Sequence, residues 1–252
     1  MKRLDTRTWR TLRFGSIALA TSALVACGGG GSPPTSNING TVAIGAAVAN
    51  ATVQMSCKNG SGSATTNSNG AYSDTFAFDG PCLLTATSGS TVLNSFASGP
   101  GTYNITSLTQ LLLSYLAGQL GTTLNGLLAG ITTNTTYQNA LTNSTVIANA
   151  ENAVAQLIKS TYGITLSTNA FLTVSFTPGQ PGEDADLDAL LAHGAITSDG
   201  QPAASLASAA LSGGLAAPLS GAGGSTTPTG GTGGTGGTGG TGGTGGTGGT
   251  GT

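Results

Sequence analysis

Charge is scarce in this 252-residue chain: lysine and arginine number 7, aspartate and glutamate 9, and the four types together make up 6% of residues. Beyond residue 26 there is no basic patch, no basic helix and no aromatic residue interleaved with basic ones, which argues against a nucleic-acid partner. Histidine occurs once, at His193, and the three cysteines show no C-x-x-C spacing, so no zinc-site pattern exists. A G-x-S-x-G elbow for a serine nucleophile is missing, as is a glycine-rich loop ending in Lys-Ser/Thr ahead of a helix. Long hydrophobic runs are missing too. The apolar stretch Phe14–Ala26 covers 13 residues, whereas a spanning helix needs roughly 20 to cross about 30 Å of hydrocarbon.

What the start of the chain does contain is organised. Five of the seven basic residues, Lys2, Arg3, Arg7, Arg10 and Arg13, precede that apolar stretch, which is the layout of an export signal. Leu24, Val25, Ala26, Cys27 and Gly28 then resemble the bacterial lipoprotein lipobox, in which the cysteine thiol receives a diacylglycerol before the chain is cut ahead of it. The resemblance implies a signal peptide over residues 1–26 and lipid attachment at Cys27, with Gly28 favouring the outer membrane. The alternatives are an ordinary signal peptide and a retained amino-terminal helix. "GGGGSPPTS" cannot pack a core, and residues 27–37 read as a flexible tether stiffened at its two prolines. A single acyl chain binds a bilayer only marginally, whereas the lipoprotein modification supplies the further chains that stable anchoring needs.

After such processing two lysines, Lys58 and Lys159, face eight acids, a formal charge of −6. Cys57 and Cys82 remain as an even pair in an oxidising compartment, which points to one disulfide rather than two buried thiols. It would close a loop worth about 3–4 kcal/mol in the chain-entropy model.

Residues 38–98 carry period-2 patterning. Val53, Met55 and Cys57 alternate with Thr52, Gln54 and Ser56, and Tyr72, Phe76 and Phe78 alternate again, with Asp74 in the same register and therefore at an edge or paired. Asn59-Gly60, Asn69-Gly70 and Ser88-Gly89 are turn signals. This is a small β-sandwich pattern in which the Cys57–Cys82 bridge would act as a staple. Residues 99–211 switch to helical spacing. Leu108, Leu111, Leu112, Tyr115 and Leu116 follow a capping box read at Ser107 and Gln110, and a second helix is expected over 144–160. "FLTVSF", residues 171–176, reads as a strand or an extended packing segment, and "DADLDALLAHG" as a short helix capped by Asp184 or Asp186 and ended by Gly194. Residues 212–252, ending in Gly-Gly-Thr repeats, read as a disordered tail. The fold class is therefore α+β: a small β-sandwich module, a helical module and a disordered Gly/Thr tail.

Chemistry-bearing residues are few. Asp184, Asp186 and Asp188 have the spacing that opens an EF-hand loop, but Ala189 and Ala195 stand where its glycine and bidentate glutamate belong, so a solvent-facing acidic turn with Glu183 is expected. His193 reads as a helix-end residue. Asp74, Asp79, Glu151 and Asp199 would form a glycosidase-like pair only if folding joined two of them. No catalytic residue, cofactor or metal ligand is assigned.

"NGTVAIGAAVANATVQMSC", "TTNSNGAYSDTF", "GPCLLTATSG" and "GPGTYNITSLTQLLL" together resemble uncharacterised proteobacterial lipoproteins with a carboxypeptidase regulatory-like β-sandwich module. The hairpin element of that module matches at Thr66, Gly70 and Tyr72, while Asn50 replaces a glycine in its first element. Asn104–Thr109 matches an "N-I-T-x-L-T" element, and "DADLDALL" also looks like that group. The resemblance implies an accessory, non-catalytic module. It leads to the expectation of a lipid-anchored envelope protein at the outer membrane, periplasmic or surface-exposed, with a binding or structural role. Its partners would be the lipid bilayer and a glycan, the cell wall or another protein. The alternatives are a carbohydrate-active enzyme with carboxylates assembled in space and a pure surface spacer.

Overall fold

Alternation of apolar and polar residues builds two four-stranded sheets ahead of the helices. The computed structural model describes residues 33–220. The expected signal peptide, Cys27 and most of the tether, and the tail from 221 onward, lie outside the described residues. In the first sheet β1 (Thr35–Ala43) is central, antiparallel to β4 (Ala71–Ala77) and parallel to two short strands, β7 (Gly101–Thr102) and β8 (Ile105–Thr106). The second has the order β3-β2-β5-β6, with β2 Thr52–Ser56, β3 Ser61–Thr65, β5 Cys82–Ser88 and β6 Thr91–Ala97, all antiparallel.

Strand structure starts earlier and persists later than composition implies. Thr35–Asn37, placed in the tether by their neighbours, already pair with Thr75–Ala77 of β4, and Pro34 C=O accepts the Phe78 N–H at 3.0 Å. β7 and β8 fall beyond residue 98 yet complete the first sheet. The β and helical stretches share one apolar core running from Ile38 through Leu84, Leu112 and Ile158 to Ala210.

The expected alternation is present in β2, where Val53 and Met55 are buried and Thr52, Gln54 and Ser56 exposed. Asp74 lies on β4, and its Oδ2 accepts the Ser63 N–H of β3 at 2.8 Å, so the acid in an apolar register bridges the neighbouring edges of the two sheets. Cys57 and Cys82 are disulfide-bonded. They follow and open β2 and β5, adjacent strands with Ser56 opposite Leu83, so the bridge joins an opposed pair within one sheet, with Cα atoms 4.2 Å apart. That spacing is close to the ~4.5 Å of a non-hydrogen-bonded antiparallel pair. It holds the β2–β5 ladder shut at one end instead of tying the two sheets together. Replacing both cysteines by serine should lower unfolding stability by about 3 kcal/mol, measured as the urea-midpoint difference between wild type and variant without reductant; coincident midpoints would refute it.

Among the described residues six helices follow: α1 (Ser107–Gln119), α2 (Leu124–Gly130), α3 (Thr135–Leu141), α4 (Ser144–Tyr162), α5 (Glu183–Ala192) and α6 (Ala204–Leu215). The capping box of α1 sits one residue earlier than its sequence signature. Thr106 Oγ1 accepts the Thr109 N–H, and Thr109 Oγ1 accepts the Thr106 N–H at 3.0 Å. Ser107 and Gln110 are drawn into tertiary contacts instead: Ser107 Oγ donates to Gly200 C=O at 2.6 Å, and Gln110 Oε1 accepts the Asn94 N–H of β6 at 2.8 Å. Thr109 Oγ1 also reaches Asn94 C=O, and Gln201 Nε2 donates to Val92 C=O at 2.6 Å.

Helix α6 runs through Gly213 and Gly214, past residue 211 where the pattern of a helix fades. It lies against α1 at a crossing of two glycines. A Cβ on Gly214 would stand 2.0 Å from Tyr115 C=O, and one on Gly118 would stand 2.1 Å from Leu211 C=O. The backbones touch there because neither residue has a side chain. Beyond the helix, Leu219 N–H donates to Gln119 C=O and Gln119 Nε2 to Ala217 C=O, each at 3.1 Å.

Candidate functional site: buried carboxyls around Asn104

Of the acids singled out in sequence, three remain apart at the surface. Asp74 is engaged with Ser63, Asp79 accepts from Asn59 Nδ2 at 2.5 Å, and Asp199 accepts from Thr197 Oγ1. His193 follows α5, its Nδ1 against Ala189 C=O at 2.8 Å, and Gly194 at φ +67° ends that helix. Of these four acids Glu151 alone enters the interior, and a second carboxyl buried there, Glu183, belongs to the acidic turn expected to face solvent. That turn is buried at its start, where Glu183 is 1% exposed and Asp184 3%, while Asp186 is half-buried and Asp188 faces solvent as expected.

Asn104 organises the cluster. It lies between β7 and β8 with no exposed surface. Its backbone N–H donates to Leu172 C=O at 2.8 Å, and its Oδ1 accepts the Thr41 N–H of β1 at 3.3 Å. Its Nδ2 has three acceptors: Val174 C=O at 2.7 Å, Phe171 C=O at 3.1 Å and Glu183 Oε2 at 3.1 Å. The residues 171–176 expected as a strand or packing segment form no strand. A turn closes where the Thr173 and Val174 N–H groups both reach Ala170 C=O, and Phe171 and Leu172 go into the core. A strand would need a neighbouring ladder, whereas here Asn104 takes the carbonyls of Phe171 and Val174.

Glu151, on α4, accepts the Leu172 N–H at Oε1, 2.9 Å away. Burial pushes its carboxyl up to about 7, against the pull of that hydrogen bond. Glu183 goes further, to about 9: burial is the first cause, repulsion from Asp186 and Glu151 adds to it, and hydrogen bonds with Asn104 and Thr106 offset only part. At neutral pH Glu183 is therefore a carboxylic acid. Its Oε1 is buried without a hydrogen-bond partner. Asp184 and Asp186 do not cap α5, whose N-cap is Gly182 at φ +121°. They hold the preceding loop instead: Asp184 Oδ2 accepts the Gly179 N–H at 2.7 Å, and Asp186 Oδ2 accepts Ser167 N–H at 2.8 Å and Oγ at 2.7 Å. Burial raises Asp184 as well.

Chemically this is a closed polar knot. Glu151 repels Glu183 across this knot, while Glu151 is turned to the Leu172 N–H and Glu183 to Asn104. Among the described residues, no three His, Cys, Asp or Glu side chains converge in a way that would hold a metal ion. A cavity of about 430 Å³ opens on the same loop, lined by Thr168, Val174, Phe176, Gln180, Gly182 and Glu183 among others. Asn104 and Glu183 escaped assignment from sequence, although each lies in or beside a stretch that carries the family resemblance, "NITSLT" and "DADLDALL". Folding brings these two stretches, 79 residues apart, into hydrogen-bond contact.

No family model matches this chain, and no curated protein matches it. A solved DUF3823 family protein from Parabacteroides merdae ATCC 43184 is similar at 22% identity, with a TM-score of 0.24, over 29% of this chain and 45% of that one. The chain thus spans under half the length of that protein.

Proposed function

We propose that this is an exported lipoprotein, anchored by acylated Cys27 at the outer membrane, whose α+β domain has a non-catalytic binding or structural role there. The observation that carries the reading is Leu24-Val25-Ala26-Cys27-Gly28, set directly behind a basic segment and a short apolar run. The Cys57–Cys82 bridge supports it, because such bonds persist in oxidising compartments, and it accounts for both other cysteines. Among the described residues no helix is long and apolar enough to cross a membrane. The two sheets correspond, in this reading, to the β-sandwich of a carboxypeptidase regulatory-like accessory module. Supporting the non-catalytic role are the low exposure of Glu151 and Glu183, 6% and 1%, and the engagement of Glu151 by the Leu172 N–H and of Glu183 by Asn104. A glycan, cell-wall polymer or protein is the partner class.

Intact-mass analysis of the membrane fraction should find a chain beginning at Cys27 with added acyl mass, and Cys27→Ala should move the protein to the soluble fraction. An unmodified wild-type chain recovered as a soluble product would overturn the anchor.

A further inference from the structure

Between Tyr162, the last residue of α4, and Glu183, the first of α5, the chain runs through Gly163–Gly182 without helix or strand. Loops beyond roughly 12–15 residues without structure of their own are uncommon in compact domains. Leu166, Phe171 and Leu172 anchor this strap in the core, and its main chain between them and α5 is held largely by side chains of its neighbours. Asn104 takes the Phe171 and Val174 carbonyls, Glu151 the Leu172 N–H, Asp186 Ser167, and Asp184 the Gly179 N–H. Three of those four clasps are carboxylates, and Asn104 is itself bonded to a further carboxyl, Glu183. The groups acting on Glu183 come from every side: Asp186 on its own helix, Glu151 on α4, and Asn104 and Thr106 ahead of α1. Asp188 acts in turn on Asp184. None of these is a cation.

We propose that Gly163–Gly182 is a pH-gated strap, latched while Glu151 and Glu183 carry at most one negative charge between them and released, with the sheets still folded, when both ionise. An acid-rich clasp with no counter-cation has no other way to relieve a second charge than to let water in, and the strap is the element those groups hold. The sign follows from proton counting. Both carboxyls bind their protons more tightly when the strap is closed than at the ordinary value of 4.5, so the closed form binds more protons. Closure is then complete at low pH and weakens as pH rises, through about 7 for Glu151 and about 9 for Glu183. Each linked proton multiplies the opening equilibrium by up to about tenfold per pH unit.

Amide hydrogen exchange of the mature chain, corrected for intrinsic exchange chemistry and followed from pH 5.5 to 10, reads this directly. In wild type, opening of 163–182 should rise about tenfold per unit between pH 7.5 and 9 and then level off, while β2 and β5 amides stay protected. Glu183→Gln should be flat over that interval. Glu151→Gln should keep the upper slope but level off at lower pH, because a repelling carboxylate is gone; it carries the test if Glu183→Gln does not fold. A strap indifferent to pH in wild type, a Glu183→Gln profile as steep as wild type, or sheet amides opening in step with the strap would each overturn the proposal.

Discussion

Gly214→Ala is expected to destabilise the domain by roughly 3 kcal/mol, the upper range for forcing an extra carbon into a packed contact. In an ordinary helix the same substitution would help by about 1 kcal/mol. The sign reverses because the new Cβ would stand 2.0 Å from Tyr115 C=O and 2.8 Å from Gln119 N, atoms that cannot rotate aside. α6 would have to lift from α1, and with it the 3.1 Å bonds of Gln119 to Ala217 and Leu219. Gly213→Ala is the matched comparison. Its Cβ would meet only the Tyr115 ring, at 3.3 Å, so its stability should stay within about 1 kcal/mol of wild type or improve. Urea unfolding separates the two: a fall in midpoint of about 1 M or more for Gly214→Ala, against little change for Gly213→Ala. Equal behaviour of the neighbouring glycines would show that the seam is not as tight as described.

Asn104→Ala should be costlier still, by roughly 4 kcal/mol, because it removes one side chain and strands several buried partners. The Thr41 N–H, the Phe171 carbonyl and Glu183 Oε2 each lose a buried bond, and the Val174 carbonyl a part-buried one. Each buried group left unpaired costs about 1–3 kcal/mol, offset in part by relaxation. Thermal or urea unfolding at pH 6 measures the loss at a pH where Glu183 keeps its proton. A loss under about 1 kcal/mol would mean that the strap does not depend on this amide.

How far these features could be read in the chain depends on how local their causes are. The β2 and β4 alternation, the edge position of Asp74, the span of α4 and the helix-ending Gly194 follow from neighbours in sequence, and the structure agrees with each. The Cys57–Cys82 pairing was legible from parity and compartment, but its placement within one sheet depends on strand order, which pattern alone does not encode. Residues 212–215 read as the start of a disordered tail because composition ignores what lies opposite, whereas they continue α6; the deciding fact is Gly118, nearly a hundred residues before Gly214. The same holds for Ser107 and Gln110, whose capping signature was right in kind and displaced by one residue because Gly200 and Asn94 claim their side chains. The polar knot was the least legible part. Acids in a row suggest a wet surface, and Glu183 becomes a protonated, enclosed group only once Asn104, Glu151 and the strap close over it.

The contacts along β6 have a consequence for self-association at high protein concentration. Asn94, facing outward from that border strand, has both main-chain groups occupied by α1 side chains, and Val92 C=O is taken by Gln201. An approaching copy of the protein therefore meets a β6 edge whose middle donors and acceptors are already engaged. Many domains discourage such stacking by placing lysines on the border, a remedy hardly open to a chain this poor in charge. Here uncharged amides and a threonine hydroxyl occupy that stretch of the border, a block that salt does not screen as it would a row of charges.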